Sequence, residues 1–239
     1  MNGPDLRDPY TAPAPIGRPE EVDLGALRVA TYLDDGISPP TDDVASVVTA
    51  AADAVGAVVA DVRHTAPACL GRTVDLLWES VFLGGDRGEG FEEDLRAIGA
   101  TDPSEELAEF LRQARAVDFT LSEARSRFVD IDAYRIEMLT FMADFDVIIC
   151  AAMPTTAKPH HHGLVEISDF SHMMVHNLTG WPAAVVRCGT SKEGLPVGVQ
   201  VVGRPWQDAT ALAVAAHLEK VFGGWRPPPL VFDGSVAGR

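Results

Sequence analysis

Residues 177–203 read Asn-Leu-Thr-Gly-Trp-Pro-Ala-Ala-Val-Val-Arg-Cys-Gly-Thr-Ser-Lys-Glu-Gly-Leu-Pro-Val-Gly-Val-Gln-Val-Val-Gly and contain two apolar runs joined by a polar loop. The runs, 183–188 and 197–202, are short and rich in valine, which favours strands over helices. The loop between them is rich in turn-forming residues. The stretch therefore predicts an antiparallel pair of strands with a longer hairpin loop.

Single residues in this stretch carry further expectations. Gly180 predicts a sharp turn, and Gly189 and Gly194 predict positive φ in the hairpin. Gly198 lies inside a strand and indicates a close approach to the backbone. Gln200 stands among buried valines, where its amide needs partners, so we expect a structural rather than a reactive role.

The N-terminal region predicts a parallel β-α-β unit over residues 27–62. Residues 27–33 form one apolar strand and 57–62 a second. Between them Thr41 is a plausible cap for an alanine- and valine-rich helix that runs through Val55. The crossover should be right-handed, with the two strands parallel in one sheet.

The middle of the chain is predicted to be mostly helical. Ser104 opens a long amphipathic stretch that reaches Leu139. Residues 145–150 are short and β-branched and predict a buried strand, and residues 208–222 predict a final helix. The order of elements indicates an α/β fold with a mixed β-sheet flanked by helices.

Three segments divide the chain. Residues 1–20 are rich in proline, which fixes φ and removes backbone donors, so we expect an extended arm. Residues 21–228 are expected to form one α/β domain, followed by a tail over 229–239.

Composition excludes several classes of protein. The chain has 239 residues, of which 46% are hydrophobic, and 35 acidic against 19 basic residues give a net charge of −16. This charge opposes binding to nucleic acid and to anionic membranes. The first residues contain no apolar stretch, and no segment approaches the length that spans a bilayer, so we expect a protein that is neither secreted nor inserted in a membrane. Cys69, Cys150 and Cys188 are far apart and form no disulfide or zinc pattern, so a reduced, cytoplasmic location is expected.

Several segments resemble, in order, the second half of the amidase-signature hydrolases. These are Gly3-Pro4-Asp5 with Arg7-Asp8-Pro9, Leu27-Arg-Val, Phe145-Asp-Val-Ile-Ile-Cys followed by Pro-Thr-Thr, Asn177-Leu-Thr-Gly-Trp-Pro, and Gly194-Leu-Pro-Val-Gly-Val-Gln-Val-Val-Gly-Arg-Pro. The resemblance implies that the chain has the C-terminal part of the amidase-signature fold and lacks the rest of it. It also implies a relationship to enzymes that hydrolyse carboxamides to a carboxylate and ammonia or an amine.

The resemblance also implies a serine nucleophile, a second serine in a cis peptide and a lysine that moves the proton. The chain has only Lys158, Lys192 and Lys220, and it has no Gly-Gly-Ser-Ser-Gly-like loop. No residue is therefore assigned to catalysis. Neither a cofactor nor a metal is expected, and Lys158 and Lys192 are interpreted as solvated loop charges.

The family likeness suggests five residues for an acyl-side substrate pocket. The alternative for this region is a capped turn that only packs on the sheet. The five candidates are Thr155, His172, His176, Asn177 and Trp181.

Two other constellations are possible. Residues 160–162 are three consecutive histidines, and with His172 and His176 they could hold a metal ion, although an exposed loop is the simpler interpretation. Cys150 could form a nucleophilic pair with a histidine, but a thiol in an apolar run is usually an inert core group with a raised pKa.

Three functional hypotheses remain. In the first, the chain is the C-terminal portion of an amidase-signature hydrolase and is active only when an N-terminal half is supplied, its substrate being a small amide. In the second, it is a non-catalytic binding or interaction module, alone or as a pair of copies. The third, a metal-dependent hydrolase built on the histidine-rich loop, has the least support.

Overall fold

The computed structural model describes residues 7, 11–159 and 167–227. In these ranges five strands form one mixed sheet in the order β2-β1-β3-β5-β4. The predicted α/β class, a mixed sheet flanked by helices, is therefore confirmed. The strands are β1 (Arg28–Thr31), β2 (Asp61–His64), β3 (Val147–Ala151), β4 (Ala183–Thr190) and β5 (Pro196–Gly203).

Six α-helices accompany the sheet in the described ranges, together with a π-helical segment over Asp75–Phe82 and four short 3₁₀ turns. None of these helices is both long and apolar enough to cross a bilayer. They are α1 (Asp42–Gly56), α2 (Glu89–Ala97), α3 (Glu105–Arg115), α4 (Leu121–Met142), α5 (Ser171–Thr179) and α6 (Asp208–Phe222).

The N-terminal β-α-β unit is confirmed, with a shift of its second strand. β1 pairs in parallel with both β2 and β3, and the Thr41 side chain accepts a hydrogen bond from Val44 N at the start of α1. The strand expected over 57–62 begins only at Asp61. The reason is that Val58 N donates to Val55 O and Ala60 N donates to Leu27 O, so the chain first turns back toward β1.

The antiparallel hairpin is confirmed over its whole length. β4 pairs with β5 from Ala183, opposite Val202, to Thr190, opposite Pro196. Gly194 has φ +85° in the connecting loop, as expected. Gly189 does not have positive φ. Position 189 requires glycine for lack of space instead, because a Cβ atom there would lie 2.3 Å from Val47 Cγ2.

The long helix expected from Ser104 is two helices. Ser104 caps the first, and its hydroxyl accepts from Leu107 N. The chain then leaves the helix because Val117 O accepts from Arg87 N, and Phe119 N donates to Gly85 O. Thr120 restarts the helix with a capping box, a reciprocal pair of hydrogen bonds that the sequence analysis did not include.

The core consists of two layers separated by the sheet. Strand β3 is buried along its whole length. Its Ile148 and Cys150 face one layer, formed by α4, α5 and the π-helical segment. Val147 and Ile149 face the other layer, formed by α1 and α6. Packing on both faces thus fixes the position of the strand ends relative to the surrounding helices.

The proline-rich arm is partly described. Residues 11–18 have no regular structure, and Ile16 O accepts a hydrogen bond from Ala209 N at the start of α6. The arm ends in a 3₁₀ turn at Pro19–Glu21. This turn lies across the boundary expected at residue 20.

We predict that Gly189→Ala destabilises the fold by about 1–3 kcal/mol, because the added methyl group collides with Val47. Urea unfolding monitored by circular dichroism measures the change. Val47→Ala in the same chain should recover part of the loss. Gly71→Ala is the control, since a Cβ at Gly71 meets no atom within 4 Å. Equal effects of the two glycine variants would contradict the prediction.

Candidate functional site

A group of polar side chains lies at the carboxyl ends of β1 and β3, and we call it the strand-end cluster. Parallel strands bring their carboxyl-terminal loops to one edge of the sheet, which is where α/β proteins place ligand sites. The loops after β1 and β3 are joined directly, because Thr41 N donates to Pro154 O at 2.8 Å. The strand-end cluster comprises Tyr32, Asp35, Ser38, Cys150, Asp169, His172, His176 and Gln200, all of which are buried.

Asp35 fixes the loop that follows β1. Its Oδ1 accepts hydrogen bonds from Ile37 N at 2.9 Å and Ser38 N at 3.0 Å. The Ser38 hydroxyl donates to Asp169 Oδ1 at 3.1 Å. This hydrogen bond joins residues that are 131 positions apart in sequence, and it holds the loop after β1 against the segment before α5.

The two histidines of α5 lie four residues apart and point into the strand-end cluster. His172 Nε2 donates to Ser38 O at 3.1 Å and lies 3.8 Å from Asp35 Oδ1. His176 Nε2 lies 4.0 Å from Cys150 Sγ. Burial, and to a smaller extent the nearby His172, lower the pKa of His176 to about 3. His176 is therefore a neutral imidazole at physiological pH.

Cys150 lies close to a histidine but is not activated by it. Its side chain is buried, and Gln200 Nε2 donates to Cys150 Sγ at 3.6 Å and to His172 O at 3.4 Å. Desolvation raises the pKa of the Cys150 thiol to about 11. A thiol without thiolate character is a poor nucleophile. This agrees with the interpretation of Cys150 as a core group and of Gln200 as a structural residue.

Several polar atoms near these loops have no protein partner. Buried polar groups are normally hydrogen-bonded, so such atoms mark places where water or a ligand group supplies the missing bond. The buried side-chain atoms of this kind in the described residues are Tyr32 Oη, Asp35 Oδ2, Thr155 Oγ1, Ser171 Oγ, His172 Nδ1 and His176 Nδ1.

A cavity of about 230 Å³ lies beside the strand-end cluster. Lys158 and Asp169 form an ion pair at its wall, so Lys158 is not the solvated loop charge that was expected. The remaining wall is mostly carbon. The cavity is lined by Met153, Thr155, Thr156, Ala157, Lys158, Asp169 and Phe170.

The five candidate pocket residues do not form one site. Thr155 lines the cavity, and His172 and His176 lie buried in the adjoining strand-end cluster. Asn177 is exposed and faces a surface pocket beside α4. Trp181 lines a cleft of about 550 Å³ at the opposite edge of the sheet, next to the start of β4.

Sequence analysis missed four residues of the strand-end cluster, which are Tyr32, Asp35, Ser38 and Asp169. Asp35 and Ser38 stand in a Gly/Pro-containing loop directly after a predicted strand, a position that indicates a site in α/β proteins. No local sequence pattern marks Asp169 as a site residue. Its role depends on Ser38, which is distant in sequence, and on Lys158, which lies on another loop.

The metal site considered in the sequence analysis depends on the histidine-rich loop, residues 160–162. Residues 160–162 lie outside the described residues. Within the described ranges no group of three or more His, Cys, Asp or Glu side chains is arranged to hold a metal ion.

Comparison with known sequences gives a family match. A family model described as Amidase matches residues 1–212. Fatty-acid amide hydrolase 2-B from Danio rerio is 32% identical over 237 residues, covering 88% of this chain and 44% of that protein. Human fatty-acid amide hydrolase 2 is 37% identical over 97 residues, covering 41% of this chain and 18% of that protein. The chain thus spans less than half the length of these relatives.

Solved structures share the fold. A bacterial aryl acylamidase of the amidase-signature enzymes superposes with a TM-score of 0.76 at 17% identity, covering 92% of this chain and 49% of that one. The 6-aminohexanoate cyclic dimer hydrolase superposes with a TM-score of 0.75 at 21% identity, covering 95% of this chain and 52% of that one. Both neighbours carry about as much chain again outside the shared region.

We predict that His176 makes the fold sensitive to mild acid. In the unfolded chain the histidine pKa is about 6.5, whereas it is about 3 in the folded state. As the pH falls below 6.5, His176 binds a proton in the unfolded state but stays neutral in the folded state. The free energy of unfolding therefore decreases by roughly 1.4 kcal/mol per pH unit from this group.

Urea unfolding at pH 6.5, 5.5 and 5.0 measures this dependence. His176→Gln should flatten the decrease relative to the natural chain. His64→Gln is the control because His64 is exposed. An unchanged slope in His176→Gln would show that His176 does not remain neutral in the folded state.

Proposed function

We propose, from the premise that this chain belongs to the amidase family, that it supplies the substrate-binding part of an amidase-signature hydrolase for amides with apolar acyl groups. The chain hydrolyses such amides only together with a polypeptide segment that carries the Ser-Ser-Lys residues of the family. The observation that carries the proposal is the carbon-walled cavity next to the strand-end cluster.

The position of the cavity supports a substrate site. It lies where the loops after β1 and β3 meet, at the edge of the sheet where α/β proteins bind ligands. A cavity of about 230 Å³ accommodates a small part of a substrate rather than the whole of a drug-sized molecule. Its wall favours an aliphatic or aromatic acyl group, since apolar surface is removed from water there.

The Lys158–Asp169 pair supports a neutral substrate. Because the lysine is paired with a carboxylate, the wall presents little net charge to a ligand. An acyl group with its own carboxylate would have to compete with Asp169 for the ammonium group of Lys158. A neutral amide does not meet this competition, and its polar atoms can be bonded by unpartnered groups such as Thr155 Oγ1.

The chain's own side chains do not supply the nucleophile. Cys150 is a buried thiol with a raised pKa, and the sequence has no Gly/Ser-rich loop that resembles the catalytic one. Serine attack on an amide needs a base and oxyanion donors near the carbonyl carbon. These groups belong to the other part of the catalytic unit. The three cysteines are buried free thiols, which supports a reducing compartment such as the cytoplasm.

The proposal is tested by hydrolysis of a panel of aliphatic and aromatic amides, with ammonia or amine release as the measurement. We expect no turnover by the purified chain alone. We expect turnover when the chain is joined to an amidase-signature segment with the Ser-Ser-Lys residues. Turnover by the chain alone would overturn the proposal.

We predict that Ala157→Phe in the joined, active protein lowers kcat/KM for amides with longer acyl groups by about tenfold, equal to about 1.4 kcal/mol. The added ring fills the cavity that Ala157 lines. Activity on acetamide should change little, because its acyl group is small. Ala100→Phe is the matched control at an exposed alanine outside the cavity. Equal losses on short and long amides would show that the cavity does not select the acyl group.

A further inference from the structure

The cleft of about 550 Å³ beside Trp181 lies at the amino end of the central strand, away from the strand-end cluster. It is next to the start of β4, where Ala183 pairs with Val202. The adjacent Gly203 pairs with Val147, the first residue of β3. The strand-end cluster lies at the other end of β3, so the length of this strand separates the cleft from the proposed amide site. The volume of the cleft is within the range of small-molecule sites, roughly 300–1,000 Å³.

The wall of the cleft offers flat apolar surfaces. Two tryptophans and two prolines contribute to it, namely Trp181, Pro182, Pro205 and Trp206. Trp181 is buried, whereas Trp206 is 59% exposed. Indole rings pack favourably against other aromatic rings and remove a large apolar area from water. The wall therefore suits a ligand with an aromatic body.

The backbone of Trp206 is strained. Its φ is +64°, a region that bulky L-residues rarely adopt. The turn around it is held by neighbouring contacts, because Gln207 N donates to Arg204 O at 3.0 Å and Arg204 Nε donates to Phe145 O at 2.6 Å. Strain of this kind persists only where the surrounding structure imposes it, and it concentrates at functional sites. The exposed indole ring is thus fixed beside the cleft.

Arg135 of α4 supplies a positive charge to the cleft. Its Nε donates to Leu178 O at 2.9 Å, which fixes the guanidinium group. Nη1 donates to Asp132 Oδ1 at 3.4 Å in an exposed pair, which is a weak interaction. Among the described residues Nη2 has no partner. The planar fork therefore keeps donors for the carboxylate of a ligand.

Asp208 supplies a negative charge to the same cleft. It is the first residue of α6, and the next residue, Ala209, donates its N–H to Ile16 O. The described part of the chain gives the Asp208 carboxylate no hydrogen bond and no ion pair. A ligand with a single charge would leave either Arg135 or Asp208 unmatched. A ligand that carries both charges is complementary to both side chains.

We propose that this cleft is a second ligand site, which binds an aromatic amino acid as a zwitterion. The carboxylate of the ligand accepts from Arg135, its ammonium group donates to Asp208, and its ring packs against Trp206. The inference goes beyond the proposed amide hydrolysis and does not depend on it.

The test measures the binding of three matched probes to the full chain by isothermal titration calorimetry. L-phenylalanine carries both charges, phenylpropanoate lacks the ammonium group, and phenylethylamine lacks the carboxylate. The variants are Arg135→Gln, Asp208→Asn and Trp206→Ala. Trp225→Ala is the matched control, since Trp225 is an exposed tryptophan outside the cleft. Circular dichroism checks that each variant is folded.

We expect L-phenylalanine to bind roughly tenfold more tightly than either analogue. Arg135→Gln should weaken L-phenylalanine and phenylpropanoate by about the same factor and leave phenylethylamine unchanged. Asp208→Asn should weaken L-phenylalanine and phenylethylamine instead, and Trp206→Ala should weaken all three probes.

Two results with the unaltered chain would overturn the proposal, whatever the variants show. These are a lack of binding by L-phenylalanine and equal binding of the three probes. Equal losses of L-phenylalanine binding in Trp206→Ala and Trp225→Ala would also overturn it, because the ligand would then not be recognised by the cleft. Amide hydrolysis is not measured, so each of these outcomes leaves the proposed function as it stands.

Discussion

The burial of β3 on both faces is the constraint on which the other elements depend. Each of its five residues is buried, so the strand needs an apolar layer above and below it and a hydrogen-bonded neighbour on each side. The parallel strand β1 and the antiparallel strand β5 supply the neighbours. The helices α1 and α6 form one layer, and α4 with α5 forms the other. A mixed sheet follows because the two neighbours reach β3 by different connections, one long and helical and one through the hairpin.

The strand-end cluster shows how the fold holds polar groups inside an apolar layer. Ser38 donates its backbone N–H to Asp35 and its hydroxyl to Asp169, and these bonds tie two distant loops together. The α5 histidines remain only partly satisfied. A buried network with open positions is costly for stability unless something else completes it. The strand-end cluster adjoins the cavity that Thr155 and Asp169 line.

The sequence predicted well the elements that depend on local patterns. Neighbouring residues determine the valine-rich hairpin, the Thr41 cap, the helix start at Ser104 and the final helix, and all are present. It predicted poorly where distant parts meet. The break between α3 and α4 depends on hydrogen bonds to residues 85–87, and the role of Gly189 depends on Val47, which belongs to a helix more than a hundred residues earlier. The candidate site was divided by a local turn: Asn177 lies on α5, whereas Trp181 follows Gly180, whose φ of +70° ends the helix and redirects the chain.

The contact between Arg28 and Asp146 has a consequence for how the chain folds. Arg28 N and its guanidinium donate to Asp146, across 118 residues of sequence, at the start of the central strand pair. The hairpin and α6 form from neighbouring residues, so they can order early at a small loss of loop entropy. The β1–β3 pair closes a much longer loop, so a larger loss of chain entropy precedes its stabilising contacts. We therefore expect pairing of β1 with β3, in the buried middle of the sheet, to limit the folding rate.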